Sequence, residues 1–365
     1  MSWQLTAADL PDLARGATLL GTGGGGDPYI GQQLVARVLG DRAITILDPD
    51  EIDDDLFVIP TAQMGAPTVM IEKIPAGTEP TLSLRILEEH LGRVAGATMP
   101  IECGGINSMI PLIVAAETGL PVVDADGMGR AFPELSMETF AVYGVHGSPL
   151  ALAGERGERV LIDTGDDDRQ MEWLARGVTI RLGGVAHIAE YPMTGADVKR
   201  TAVPRTISMA LALGRAIRQA REQHASPVQA IADTLAPTLY SHLRELFTGK
   251  VTDVERRTTD GFAKGRATIT ESDAAGGDSL EIQFQNENLI ARRGGELVAI
   301  VPDLICVVEA ETCEPITTEK LRYGQRVRVL GISTPDLMRT PAALDTFGPQ
   351  AFGLTESFVP VESRG

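Results

Sequence analysis

Over the first ~130 residues, short apolar runs alternate with glycine-broken turns and capped helical stretches, a pattern that predicts an α/β layer with some parallel pairing. Strands are expected at 43–47, 56–60, 97–102 and 122–124, with Thr68–Ile74 continuing the sheet. Helices are expected at 6–20, 29–39, 82–91 and 108–117. Asp27-Pro28 suits a helix start, since Asp caps and Pro fits the first turn. Gly119 suits a helix end. Near Ala151 the texture changes to a hairpin-like segment and a charged turn. A helix is expected from Asp166, a long one over 203–223 with Pro204 at its start, and another over 226–235. From Lys250 the chain reads as strands separated by glycine turns. The fold class is therefore an α/β N-terminal domain, residues 1–170, followed by a β-rich α+β C-terminal domain, residues 171–365.

The richest segment is Pro121–Leu135, PVVDADGMGRAFPEL, where an apolar strand runs into Asp124, Asp126, two glycines, Arg130 and Glu134. Strand ends of this kind carry chemistry in α/β proteins. Asp124 and Asp126 are two apart and face one side of an extended chain. Two such groups attract a metal, share a proton or hold a cation, unless they serve only to bond a local turn. A second strand end, Glu102-Cys103-Gly104-Gly105-Ile106-Asn107, lies on the same edge if the two strands are parallel. Glu102 there is a candidate base or ligand, and Cys103 either a thiolate or a small buried hydrophobe.

Gly21, Gly23 and Gly26 match G-x-G-x-x-G, with Asp48 and Asp50 about 20 residues on, as in dinucleotide folds. The segment before them reads as helix, and Asp27 puts a negative charge where a pyrophosphate would sit. No Lys-Ser/Thr follows, so a P-loop is excluded. A tight turn, a ligand loop built from Gly23, Gly24, Gly25 and Gly26, and a nucleotide site all remain open. Among five histidines only His187 sits in a glycine-flanked, strand-like setting. There is no HExxH, CxxC or paired-histidine spacing. In the C-terminal part, Thr252–Phe262 reads as a polar turn, Gln285-Asn286-Glu287-Asn288 as a polar interruption of a strand, and Asp303 as a carboxylate in an apolar run. Polar groups so placed need internal partners.

The net charge of −18 argues against nucleic acid and anionic membrane as partners. Three cysteines cannot build a disulfide framework and fit a reducing, cytoplasmic compartment. The N-terminus lacks the pattern of a signal peptide, and no apolar run is long enough to span a bilayer.

Seven segments together resemble the S-methyl-thiohydantoin desulfurase family: GTGGGGDPY at 21–29, ECGGINS at 102–108, GLPVVDADGMGRAFPEL at 119–135, VERRTTDGF at 254–262, QNENL at 285–289, PDLI at 302–305 and EPITTEKLRYGQRV at 314–327. The resemblance covers nearly the whole chain. It was long carried as a domain of unknown function, often encoded beside hydantoinases and oxoprolinases. It implies metal-dependent hydrolysis of a ring C–S bond, releasing methanethiol and leaving a hydantoin, with a divalent metal such as zinc and a small heterocyclic substrate. On that reading Asp124 and Asp126 supply metal or base, Glu102 is a second base or ligand, and Asn107 orients the ring. Arg130 pairs with an acidic substrate tail, His187 is a nitrogen ligand, and Gly104 and Gly105 join the ligand loop. Two other readings stand beside it: a nucleotide-dependent enzyme using Gly21–Gly26, and a non-catalytic subunit of a hydantoinase-type complex. A homo-oligomer is compatible with each.

Overall fold

The computed structural model describes residues 1–65, 69, 76–259, 262–271 and 277–364. Its first sheet runs in the spatial order Trp3–Leu5, Ile44–Leu47, Val122–Val123, Ala97–Met99, Phe57–Gly65, Val185–Ala189, Leu150–Ala153, Arg159–Ile162. The four strands from Ile44–Leu47 to Phe57–Gly65 pair in parallel and the rest antiparallel. Parallel pairing needs crossovers, and the helices Glu79–Leu91 and Ile110–Thr118 supply them. The latter, IPLIVAAET, is apolar all round, and Ile110–Ala116 is buried throughout, as a helix enclosed by its neighbours must be. It stops at Gly119, whose left-handed φ of 79° lets its N–H close on the Ala115 carbonyl. Because Thr98 and Val122 are parallel partners, the loops carrying Glu102 and Asp124 leave the same edge of the sheet. The expected continuation at Thr68–Ile74 lies outside the described residues.

The expected boundary near residue 170 falls within the helix Asp168–Arg181, after which Val185–Ala189 returns to the first sheet beside Phe57–Gly65. Met193–Thr194 follows along the same strand. Pro204 does not open the long helix. It lies in a two-residue bridge, Val203–Pro204, paired with Ala125–Asp126, and the helix runs Thr206–Glu222. That helix crosses Leu10–Leu20 at very close range. A Cβ on Gly16 would overlap the Ala210 carbonyl oxygen, and one on Gly214 the Asp12 carbonyl oxygen. Arg218 then clamps the crossing from its side by reaching Asp12.

The second sheet is antiparallel throughout, in the order Glu296–Ile300, Glu287–Arg293, Ser279–Gln285, Phe262–Thr270, Leu243–Thr259, Arg326–Ile332, Leu304–Glu309. It curls until Leu304–Glu309 touches Glu287–Arg293. Strict alternation in SLEIQFQ turns Leu280, Ile282 and Phe284 inward. Two sequence expectations are corrected here. Thr252–Arg257 is not a turn but part of the long strand Leu243–Thr259, while Asp260 and Gly261 lie outside the described residues. The QNEN segment does not interrupt a strand. It is the hairpin between two strands, turning at Asn286 with a left-handed φ of 58°.

The helix crossing yields a paired expectation. Gly16→Ala should cost on the order of 1–3 kcal/mol by overpacking, since the opposing atom is backbone and cannot give way. Gly177→Ala, in an exposed helix with nothing within 4 Å of the new methyl, should gain up to about 1 kcal/mol. Urea unfolding midpoints of the two variants check both signs.

Candidate functional site

Three loops meet at the carboxyl edge of the first sheet: Gly21–Gly26, Gly104–Asn107 and the Asn286–Asn288 hairpin. They meet backbone to backbone. The Ile106 N–H donates to the Gly25 carbonyl at 2.8 Å, Asn288 N–H to Thr22 at 2.8 Å and Thr318 N–H to Gly23 at 2.7 Å. A side chain at Gly24 would overlap the Glu287 carboxyl, and one at Gly105 the Gly25 carbonyl. The glycines are therefore required by the crossing of three chains, with Gly25 and Gly26 also lining a cavity. The loop follows the helix Leu10–Leu20, not a strand, and Glu287 occupies its approach. This removes the dinucleotide geometry that the glycine spacing allowed.

The cavity beneath the loops measures about 80 Å³. Ile101, Ile106, Met128 and Phe132 form apolar walls, and Glu102 and Glu287 are its buried carboxyl groups. Asn107 fixes Glu102. Its Nδ2 donates to Glu102 Oε1 at 2.8 Å and to the Gln63 carbonyl at 3.2 Å, while its Oδ1 accepts from Gln63 N–H at 2.7 Å. Asn107 thus aligns Glu102 and the end of the Phe57–Gly65 strand, with its amide committed to the protein. Glu102 Oε2 accepts from Phe132 N–H at 3.3 Å. Glu287 Oε1 accepts from Gly25 N–H at 3.3 Å, and Oε2 is unpartnered among the described residues. Burial, and next the charge of Glu287, push Glu102 well above the ordinary carboxylate range. Burial raises Glu287 to about 8, with the Arg130 guanidinium pulling against it.

The DAD carboxylates are committed elsewhere. Asp124 Oδ1 accepts from Ile207 and Ser208 N–H at 2.9 and 3.0 Å, capping the helix Thr206–Glu222. Asp126 accepts from Cys103 N–H at 2.6 Å through one oxygen, and from Met128 and Gly129 N–H at 3.0 and 2.6 Å through the other. It braces the Glu102 loop against the 126–129 turn. Burial raises it to about 6 despite these three donors. His187 faces Gln63 across the strand pair, its Nε2 3.3 Å from Gln63 Nε2, and burial lowers it to about 4, so the ring is neutral. Asp124, Asp126 and His187 do not form a ligand set, and among the described residues no three His, Cys, Asp or Glu side chains converge in a way that fits a metal ion. The metal expected at the DAD loop does not fit these residues.

Arg130 is fully buried and meets carbonyls rather than a substrate tail. Nε donates to Ala131, Nη1 to Pro302 and Asp303, and Nη2 to Asn288, all at 3.0 to 3.1 Å. It joins the DAD loop to two loops of the C-terminal part. Burial lowers it to about 10, which leaves it charged at neutral pH. Cys103 is buried, its thiol raised well above the ordinary value first by burial and then by Asp126, and Sγ donates to the Thr206 carbonyl at 3.4 Å. That makes it a packing residue.

Glu287 was visible in the sequence only as part of a polar run whose inward half needed partners. Its place opposite Glu102 depends on the second sheet folding back onto the first. Gln63 and Phe132 gave no signal, one lying in an apolar strand and the other in a turn. The cap and the buried cation each generate an expectation. Asp124→Ala should lower stability by about 1–3 kcal/mol through loss of the cap and two orphaned N–H groups. Arg130→Met should cost on the order of 3–5 kcal/mol by leaving buried carbonyls unpaired and Glu287 without its cation. Both are read from urea denaturation. A catalytic role for Asp124 would instead show as lost turnover at unchanged stability.

A crystal structure of a protein from Chromobacterium violaceum superimposes with a TM-score of 0.82 at 25% sequence identity, covering 98% of this chain and 100% of that one. No curated protein is significantly similar in sequence. The model of the S-Me-THD-like N-terminal domain matches residues 8–164, and that of the S-Me-THD-like C-terminal domain matches residues 166–361. With the loops that build the cavity drawn from both matched regions, the chain belongs to the S-Me-THD-like family along nearly its whole length.

Proposed function

We propose that the cavity hydrolyses a small thiohydantoin-like ring, with Glu102 and Glu287 as the acid–base pair. The observation that supports this most is the placement of two buried carboxyl groups of unequal environment in one small cavity with apolar walls on one side. Environments that push two carboxyl groups apart set acid and base roles. Glu287 is the member nearer a cation, Arg130, and ionises first; Glu102 keeps its proton longer.

The ring carbon of an S-methyl-thiohydantoin is a thioimidate, electrophilic at the carbon bearing sulfur. The Glu287 carboxylate takes a proton from water as the water oxygen bonds to that carbon, and the Glu102 carboxyl gives its proton to the ring nitrogen. The tetrahedral centre then collapses: the C–S bond breaks, Glu287 returns its proton to the departing sulfur, and the new hydroxyl gives its proton to Glu102. Methanethiol and a hydantoin result, and both carboxyl groups recover their starting states. Met128 and Phe132 keep bulk water from the pair, which sustains the raised pKa values on which the division of labour depends.

Because the base must be ionised and burial raises it, kcat/KM for S-methyl-thiohydantoin should climb as pH rises through about 8. Glu287→Gln and Glu102→Gln should each lower kcat/KM by roughly 10²–10⁴-fold, and Glu287→Gln should remove the rising limb. Release of methanethiol, followed with a thiol reagent, is the assay. No thiol from a panel of S-methyl-thiohydantoins, or unchanged turnover in Glu287→Gln, would sink the assignment.

A further inference from the structure

The helix Asp168–Arg181 lays one side on the body of the protein, burying Met171, Ala175 and Thr179. Its opposite side is not that of a solvated helix, which is polar. Trp173 is 69% exposed and Ile180 61% exposed, and their spacing puts them on one stripe, two turns apart. Gly177 lies between them with nothing within 4 Å of the position a Cβ would take, which leaves a notch in the stripe. Val160, from the outermost strand of the first sheet, and Phe262, from the second sheet, border the same groove. A single exposed apolar side chain is ordinary, but large ones gathered along one groove mark a contact surface.

The charges along this helix say what the surface fits. Residues 166–172 carry four acids, Asp166, Asp167, Asp168 and Glu172, against Arg169, whereas residues 173–181 carry Arg176 and Arg181 and no acid. Arg181 is exposed and has no ion-pair partner among the described residues, and the Asp166 side chain is 91% exposed. An element that is acidic at one end and basic at the other complements itself when a copy lies antiparallel to it. Antiparallel helix dipoles favour the same orientation. A two-fold axis then satisfies both ends with one surface.

We propose that this face is the two-fold interface of a homodimer, in which the helix Asp168–Arg181 packs antiparallel on the same helix of a second copy. Trp173 of each copy enters the Gly177 notch of the other beside Ile180, a large side chain filling a desolvated pocket as interface anchors do. Arg181 of each copy meets the acidic 166–168 run of the other. Glu134 and Arg176 line both this groove and the cavity, so the second copy stands beside a wall of the cavity. This inference does not rest on the ring-hydrolysis reading and survives its failure.

The test uses the full chain. Sedimentation velocity from low to high micromolar protein should show a monomer–dimer equilibrium. Trp173 is one of two tryptophans, so the difference between wild-type and Trp173→Phe spectra isolates its emission. That emission should move to shorter wavelength, and become harder to quench with acrylamide, as dimer forms. Ile180→Glu buries an unpaired carboxylate in the contact and should raise the dissociation constant roughly thirtyfold or more. Arg181→Glu should raise it several-fold by setting like charges against each other. Both positions are exposed, and unchanged far-ultraviolet circular dichroism confirms that the variants fold. A chain that stays monomeric at every concentration overturns the proposal. So does a dimer that Ile180→Glu leaves intact, or one in which Trp173 remains fully quenchable, since either places the contact on another surface.

Discussion

Backbones approach one another at Gly25, Gly104 and Gly105 more closely than a side chain would allow, Gly23 and Gly24 leave space for the side chains of Asn288 and Glu287, and the site exists because of that crossing. The Gly21–Gly26 loop is stitched on one side to Ile106 and on the other to Asn288 and Thr318, each by main-chain hydrogen bonds. Main-chain contacts of this kind tolerate no slack, since each orphaned N–H or carbonyl in the interior carries a full desolvation penalty. The loops thereby hold Glu102 and Glu287, which come from parts of the chain 185 residues apart in sequence, within one small cavity. Arg130 reinforces the arrangement by donating to carbonyls of both halves.

Electrostatics follows from the enclosure. Carboxyl groups taken out of water hold their protons, and those that stay charged must be surrounded by N–H donors or a cation. Asp124 and Asp126 take the first course open to an anion, each collecting main-chain donors, and so act as braces. Glu102 and Glu287 each accept from one main-chain N–H, with the Asn107 amide beside the first and the Arg130 cation near the second, and both hold their protons above the ordinary carboxylate range. Glu138 and Glu190 have no hydrogen-bond partner among the described residues, and burial holds their protons. One physical cost, desolvation, thus separates carboxylates that brace loops through main-chain donors from carboxyl groups that keep their protons.

Much of the fold was legible. The parallel pairing in the first sheet, the cap at Asp27, the Gly119 helix stop and the strand-rich C-terminal half all follow from local patterning. Local patterning failed where a residue answers to a distant partner. Pro204 reads as a helix start, yet it pairs with Ala125 in a bridge. Thr252–Arg257 reads as a turn because it is polar, yet it continues a long strand in which Val251 is core and Val254 packs against that core. At the site, Glu102 and Asn107 were legible as a strand-end loop. The work of the DAD loop was not legible, because polarity in sequence does not reveal whether a carboxylate faces a substrate or a helix N-terminus.

What the sequence by itself determined is the set of local devices: where strands and helices form, where glycine lets backbones meet, and the family to which these motifs point. Those depend on φ/ψ preference, periodicity and capping, all of which act over a few residues. What only the tertiary structure decided is which charged groups share a space. Whether Arg130 meets a ligand or three loops of its own chain, and whether Glu287 is a hairpin residue or the partner of Glu102, is set by the second sheet folding onto the first. A carboxylate's proton affinity depends on everything within several ångströms of it, and no stretch of sequence contains that neighbourhood.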